Sequence, residues 1–187
     1  MRLTRRRTIW AAAAVVPLVL LRSRGASAES DAAEIDRDAS TALHQLYSAD
    51  HRAEELGQKA VGILVFPKIV KAGFIFGGQG GKGVLTVKGQ PPRYYTIAAA
   101  SFGLQAGAQW FSYALFFMNQ QALKYLDKSD GWSVGADPNV AVLDRGAGAQ
   151  VDSSTLSHEV IALPFGQKGL MAGLSLQGSK ITSYKPG

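Results

Sequence analysis

The sequence predicts an α+β fold, in which an antiparallel, strongly curved or barrel-like β-sheet carries an N-terminal amphipathic helix and a short additional helix. Three observations predict this class. Apolar residues recur at helical spacing near the start of the chain and again over residues 120–128. From about residue 61 the apolar period changes to two, in short runs separated by turn residues. Glycine is abundant, with 21 in 187 residues, and its even spread is typical of a sheet with tight turns and bulges.

The first 28 residues have the layout of a secretory signal peptide. An arginine-rich start precedes an apolar stretch at residues 9–21, and Ala26-Ser27-Ala28 forms a small-residue cleavage site. Residues 4–9 resemble the twin-arginine signal, although an ordinary Sec signal remains the alternative. We therefore expect a cleaved signal at residues 1–28 and one domain at residues 29–187. The expected location is periplasmic or secreted, with peripheral association with a membrane.

Charge excludes one class of partner and suggests another. Six of the 20 basic residues lie in residues 1–28, so the predicted mature domain is close to neutral and does not favour nucleic acid. Residues 56–126 contain seven basic residues and no acid. This segment could present an anion-binding face, or its lysines could simply protect strand edges from pairing. The chain has no cysteine, which excludes disulfides, a thiol nucleophile and thiolate metal sites.

The elements follow from the two apolar periods. Residues 31–58 are predicted to form one helix, with Ile35, Ala39 and Leu46 on its apolar face and Gly57 at its end. A second helix is predicted at residues 120–128, with Tyr125 among its inward residues. The predicted strands are residues 61–66, 72–76, 84–87, 94–100, 102–117, 140–143, 160–164 and 170–176. The predicted core includes Phe74, Phe76, Leu104, Trp110, Phe116, Leu163 and Leu174.

Two glycine-containing segments are predicted to be turns. The first, at residues 77–83, forms a loose hairpin tip, and the second lies at residues 166–169. The glycines of the first are Gly77, Gly78, Gly80, Gly81 and Gly83. Three of them match the spacing of a dinucleotide-binding fingerprint, but a strand rather than a helix follows, and no acid occurs before Asp127. We therefore reject nucleotide binding.

No motif for catalysis or for metal binding emerges from the remaining residues. His44 and His51 lie seven residues apart on the predicted helix, about 10 Å along its axis, which is too far to share one ion. No nucleophile, base and oxyanion site can be assembled from the sequence. We therefore predict a non-enzymatic protein with no catalytic residues, no metal and no cofactor.

Six sequence blocks occur in order at residues 62–68, 71–74, 83–85, 103–109, 132–137 and 165–173. Together they resemble the SYLF family, and the resemblance spans most of the chain from about residue 34. The resemblance implies lipid binding without an established enzymatic activity. Eukaryotic members bind phosphoinositide membranes and some bind actin, whereas exported bacterial members are described as lipid-binding. Animal members use a basic amphipathic helix against the membrane, but the first helix here is acidic.

The lipid-headgroup site is predicted at Lys68, Lys71, Lys82 and Lys88, which all lie in the acid-free segment. Lys82 lies in the glycine-rich turn, whose open backbone N–H groups could join it in an anion-binding nest. Strand alternation could place the four lysines on different faces. The expected ligand is an anionic phospholipid or a phosphoinositide-type headgroup at a membrane surface. The alternative is an envelope structural or protein-interaction module that binds an envelope protein without lipid specificity.

Overall fold

A computed structural model describes residues 23–73, 76–102, 107–128, 131–143, 157–169 and 178–186. The helices are α1 (Ser23–Ala49), α2 (His51–Lys59) and α3 (Gln120–Lys128), with a 3₁₀ turn at Val134–Ala136. The strands are β1 (Gly62–Gly73), β2 (Phe76–Val87), β3 (Arg93–Phe102), β4 (Gly107–Phe117), β5 (Val140–Val142), β6 (Val160–Gly169) and β7 (Lys180–Tyr184). Within the described residues these strands form one half-barrel sheet in the order β5-β6-β4-β1-β2-β3-β7. The predicted α+β class is confirmed.

The sheet has a hydrophobic core on each face. On the helix face, α1 and α2 pack against Val65, Val84 and Phe116. On the opposite face, which we call the inner face, α3 and Trp132 pack against a row that includes Phe117. Residues 111–117 of β4 are all buried, because successive side chains enter the two cores in turn.

The predicted single helix at residues 31–58 is two helices. Asp50 has extended backbone angles, and its carboxylate accepts a hydrogen bond from the backbone N–H of Arg52, so it caps α2. Gly57 lies inside α2 rather than at its end, and a Cβ there would collide with the ring of Tyr47 on α1. The turn at Asp50 folds α2 back onto α1, so that both cover the helix face.

The predicted turn at residues 77–83 is wrong, because these glycines lie inside β2. All of them pair with β3 and several also pair with β1. The strand β1 bulges at Pro67 and Lys68, where its register against β2 and β4 shifts by one residue. A Cβ built on Gly83 would lie 2.5 Å from the carbonyl oxygen of Val65. The glycines therefore allow β2 to pass close to the bulged strand.

The predicted turn at residues 166–169 is also wrong, because the segment continues β6. Trp110 of β4 pairs with Lys168, whereas Ser112 pairs with Phe165, so two residues of β6 oppose one of β4. Gly166 has a φ of +64°, which is the left-handed conformation that a bulge of this kind uses. Strand β7 was not predicted. The β5–β6 pair is parallel, so the sheet is mixed rather than wholly antiparallel.

The predicted core residues have different outcomes. Phe116 and Leu163 are buried as predicted. Trp110 is 44% exposed and Tyr125 is 56% exposed, so the prediction that they face inward is wrong. Phe74, Leu104 and Leu174 lie outside the described residues, as does the predicted strand at 170–176, and the Phe76 side chain is not described.

Tyr95 lies under α3 on the inner face and should control stability at alkaline pH. Its hydroxyl donates a 3.0 Å hydrogen bond to Asp127, and burial, reinforced by the charge of Asp127, raises the pKa of Tyr95 to about 12. This pKa exceeds the unfolded value of 10.0. The contribution of the protonated Tyr95 hydroxyl to the free energy of unfolding is therefore fully present below pH 10. It is then lost between pH 10 and about 12.

The Tyr95→Phe variant tests this pH dependence. We expect the unfolding free energy of the wild type, measured relative to this variant, to fall by about 2 kcal/mol across that window. Denaturant titrations at several pH values would measure the difference. A difference that does not change with pH would contradict the prediction.

Candidate functional site

The four lysines predicted to bind lipid headgroups do not converge on one site. Lys68, Lys82 and Lys88 border the helix face, whereas Lys71 follows the alternation of Ile69 onto the inner face. Lys88 follows Val87, which pairs with Gly62 at the start of β1, whereas Lys71 lies near the end of β1. At about 3.3 Å per residue, these two ends of the sheet are about 30 Å apart.

Lys82 is held between α1 and the last strand. Its ammonium lies 2.7 Å from an Asp31 carboxylate oxygen and 4.8 Å from the centre of the Tyr184 ring. The Tyr184 hydroxyl donates a 2.6 Å hydrogen bond to the same carboxylate oxygen. The hydrogen bond from Lys82 lowers the pKa of Asp31, and the same bond raises the pKa of Lys82. Lys82 therefore joins the beginning of the described part of α1 to the sheet.

Lys71 lies in a polar row that crosses the inner face near the end of β1. It pairs with Gln79 on one side and with Gln109 on the other. Gln79 donates a 2.9 Å hydrogen bond to the hydroxyl of Ser179. Gln109 is fully buried, and its amide has no hydrogen-bond partner among the described residues. Of the four lysines, Lys71 therefore differs in lying between two glutamine residues of the neighbouring strands.

The glycine-rich segment does not form an open nest of N–H groups. Its backbone is built into the ladder between β1 and β3, with Gly78 opposite Ala100 and Gly80 opposite Ala98. These residues form no turn, so they cannot serve as a hairpin tip that approaches a membrane.

A different surface combines exposed apolar side chains with lysines, and we call it the strand-end patch. It consists of Lys68, Val70, Trp110 and Lys168. Val70 pairs directly with Trp110, and Trp110 pairs directly with Lys168, so three adjacent strands contribute to one row. Val70 is 37% exposed and Trp110 is 44% exposed, and both lysines are exposed. Lys71 lies at the same end of the sheet but on the inner face.

The geometry of the patch depends on the two bulges. Ser112 donates a 2.7 Å hydrogen bond to the carbonyl of Pro67, which fixes the bulge that carries Lys68. The bulge at Gly166 sets the register that places Lys168 opposite Trp110. A cavity of about 450 Å³ runs beside the patch and is bordered by Lys68, Trp110 and Lys168. Sequence reasoning identified Lys68 but missed Trp110 and Lys168, because the register of the bulged strands decides which residues meet.

The acidic helix α1 lies on the same face as the patch. Asp38 borders the cavity beside the patch, together with Thr41 and Gln45. Its carboxylate lies 3.2 Å from the Arg37 guanidinium, and both side chains are well exposed. The acid nearest the patch therefore has its own counter-charge.

Two kinds of feature are absent from the described residues. No helix in the described ranges combines the length and the apolar character needed to cross a membrane. Among the same residues, no three or more histidine, aspartate or glutamate side chains lie together in a way that could hold a metal ion.

Comparison with known proteins shows a family resemblance. The family model described as "Ysc84: Las17-binding protein actin regulator" matches residues 98–186. Protein YSC84 of Saccharomyces cerevisiae is 26% identical over 145 residues, which cover 74% of this chain and 31% of that protein. LAS seventeen-binding protein 3 of the same species is 27% identical over 147 residues, covering 74% of this chain and 32% of its own. SH3 domain-containing YSC84-like protein 1 of Homo sapiens is 25% identical over 132 residues, which cover 68% of this chain and 38% of that protein.

These matches show that the chain is similar to the Ysc84 (SYLF) family, whose model matches residues 98–186. The resemblance predicted from the sequence blocks is confirmed. The chain spans about a third of the length of these relatives. The activities of the whole relatives therefore do not transfer directly to it.

Proposed function

We propose that this domain is a non-enzymatic module that binds anionic membrane surfaces through the strand-end patch. The observation that carries the proposal is the row of Val70, Trp110 and Lys168 on three adjacent strands, with Lys68 beside it. Exposed apolar side chains rimmed by charge are typical of interaction surfaces. Tryptophan is favoured at the interface between lipid and water, because one part of its ring system is apolar and its N–H is polar.

The lysines supply the electrostatic part of the proposed binding. Each lysine close to an anionic leaflet contributes about 1 kcal/mol. If the strand ends approach the bilayer end-on, Lys68 and Lys168 on one face and Lys71 on the other can all reach headgroups. Lys88 lies at the opposite end of the sheet and contributes nothing in this orientation, and Lys82 keeps its contact with Asp31. The proposal therefore retains two of the four lysines chosen from the sequence.

The export of the domain is part of the same proposal. Cleavage after Ala28 would leave residues 29–49 of α1, including Asp31 and the buried face that begins at Ile35. The domain would then meet the outer leaflet of an inner membrane, or the inner leaflet of an outer membrane. Amino-terminal sequencing of the protein recovered from the cell envelope tests this step, and recovery of an intact Met1 would contradict it.

A vesicle assay tests the membrane patch. The Lys68→Glu, Lys168→Glu double variant should bind phosphatidylglycerol vesicles at least tenfold more weakly than the wild type, because it replaces two attractive charges by two repulsive ones. Added salt should weaken the wild-type binding, since it screens exposed charges. Co-sedimentation with vesicles measures both effects.

The matched control is Lys124→Glu, which changes an exposed lysine on α3 at the opposite end of the sheet. It should bind vesicles like the wild type. Wild-type binding by the double variant, with an unchanged melting temperature, would eliminate the patch as the membrane site.

A second candidate function is binding of another protein. It is favoured by the relatives, which are named as Las17-binding or as SH3 domain-containing proteins. In this alternative the exposed Trp110 and Val70 contact an envelope protein instead of lipid. Crosslinking from the patch in intact cells distinguishes the two, since a discrete protein adduct that is lost in Trp110→Ala would favour the protein partner.

A further inference from the structure

A second cavity lies far from the strand-end patch, between the two amino-terminal helices and the sheet. Its volume is about 710 Å³, which is within the range of small-molecule sites. The elements α1, α2, β1 and β2 and the turn after β2 all contribute to its wall. We call it the helix–sheet cavity.

The wall of the helix–sheet cavity is mainly apolar along its middle. Its apolar side chains include Ala39, Leu43, Ile63, Val65 and Val84. Leu43 and Ile63 are only half-buried, so the cavity leaves their apolar surface open to solvent. Filling the cavity with a hydrocarbon chain would remove that surface from water, which is favourable in proportion to the area covered.

The two charged groups of the helix–sheet cavity lie at different ends. Lys88 borders one end together with Gln90, beside the turn after β2. Asp36 borders the other end, where its carboxylate accepts a 3.0 Å hydrogen bond from the Tyr94 hydroxyl. Tyr94 pairs with Val84, four residues before Lys88, so the two ends are about 13 Å apart. The cation at one end and the hydrogen-bonded acid at the other give the cavity a direction.

From this arrangement we infer that the helix–sheet cavity binds a single-chain anionic amphiphile. The headgroup, a carboxylate or a phosphate, contacts the Lys88 ammonium and the Gln90 amide. The alkyl chain runs between α1 and β1, over Leu43 and Ile63. This site goes beyond the proposed membrane patch and does not depend on it, because none of the four patch residues borders the cavity.

Calorimetric titration of the full chain with two monomeric amphiphiles of equal chain length tests the inference. Dodecanoate should bind saturably with one molecule per chain, and the dodecyltrimethylammonium cation should bind about tenfold more weakly. Lys88→Gln should weaken dodecanoate binding about tenfold, the loss expected for one charge-assisted hydrogen bond, and should not weaken binding of the cation, since it removes a like charge. The control Lys124→Gln should bind dodecanoate like the wild type.

Filling the cavity provides the second arm of the test. Leu43→Trp should abolish binding of both amphiphiles. Ser40→Trp should have the same effect, and because Ser40 is an exposed cavity residue of α1, this substitution does not disturb the core. The inference is overturned if the wild type shows no saturable binding, or if folded Ser40→Trp and Leu43→Trp both keep wild-type affinity. Unchanged dodecanoate affinity in Lys88→Gln would overturn the assignment of the headgroup.

The membrane patch is tested separately by the same variants. Leu43→Trp should still bind phosphatidylglycerol vesicles, and the Lys68→Glu, Lys168→Glu variant should still bind dodecanoate. Failure of the cavity therefore leaves the vesicle result intact. Conversely, failure of the patch leaves the titration result intact.

Discussion

Replacing Gly83 by alanine is expected to destabilise the domain by about 3 kcal/mol or more. A Cβ at this position would lie 2.5 Å from both the carbonyl oxygen of Val65 and the Cδ1 of Phe66. Overpacking of a core commonly costs about 1–3 kcal/mol. Here the cost is at the upper end because one obstacle is backbone, held in the β1–β2 ladder, and the other is the fully buried ring of Phe66.

A neighbouring glycine of the same strand is the control. A Cβ on Gly80 would meet its nearest neighbouring atom, the carbonyl oxygen of Ile97, at 3.6 Å, which is an ordinary contact. Gly80→Ala should therefore change the unfolding free energy by less than about 1 kcal/mol. Denaturant unfolding of both variants measures the contrast. Equal stabilities would contradict the idea that close approach to the bulged β1, rather than turn formation, requires glycine at Gly83.

Truncating Phe116 to alanine is expected to destabilise the domain by about 3–5 kcal/mol. Its ring is fully buried on the helix face, in the core that also contains Leu46 and Leu163. The loss includes both the transfer of the ring from water and the cavity left between α1 and the sheet. This is a large share of the roughly 5–15 kcal/mol that stabilises a typical domain.

Trp110 on the same strand and the same face is the matched control. Because it is 44% exposed and lies in the strand-end patch, Trp110→Ala should cost about 1 kcal/mol or less. Thermal unfolding followed by circular dichroism compares the two variants. A loss for Trp110→Ala as large as that for Phe116→Ala would show that Trp110 is a core residue and would remove it from the proposed membrane surface.

Much of the fold could be predicted from local patterns. The strand predicted at residues 102–117 includes β4, and its residues 111–117 are all buried because nearly every side chain there is apolar, whereas Trp110 is 44% exposed. The helix α3 was placed at its observed bounds, since its apolar residues follow helical spacing. The resemblance to the SYLF family was also correctly predicted from six ordered blocks.

The candidate sites could not be predicted to the same extent. The bulges at Pro67 and Gly166 set which residues lie opposite one another, and a bulge depends on contacts with neighbouring strands rather than on local composition. A glycine-rich strand that packs closely against its neighbour has the same residue composition as a glycine-rich turn, so composition does not distinguish the two. Likewise, part of the wall of the helix–sheet cavity, Gly57 and Gln58, comes from α2, which the turn at Asp50 folds back onto α1.

The sequence by itself determined the α+β class, the acid-free basic segment, the absence of cysteine chemistry and the resemblance to the SYLF family. These properties follow from the residue composition and from the spacing of residues within short segments of the chain. Only the tertiary structure decided that Lys68 joins Trp110 and Lys168, that Lys82 is paired with Asp31, and that Lys88 borders an apolar cavity. The physical reason is that strand register and the position of a helix on a sheet are set by long-range packing, so they determine which distant side chains share a surface.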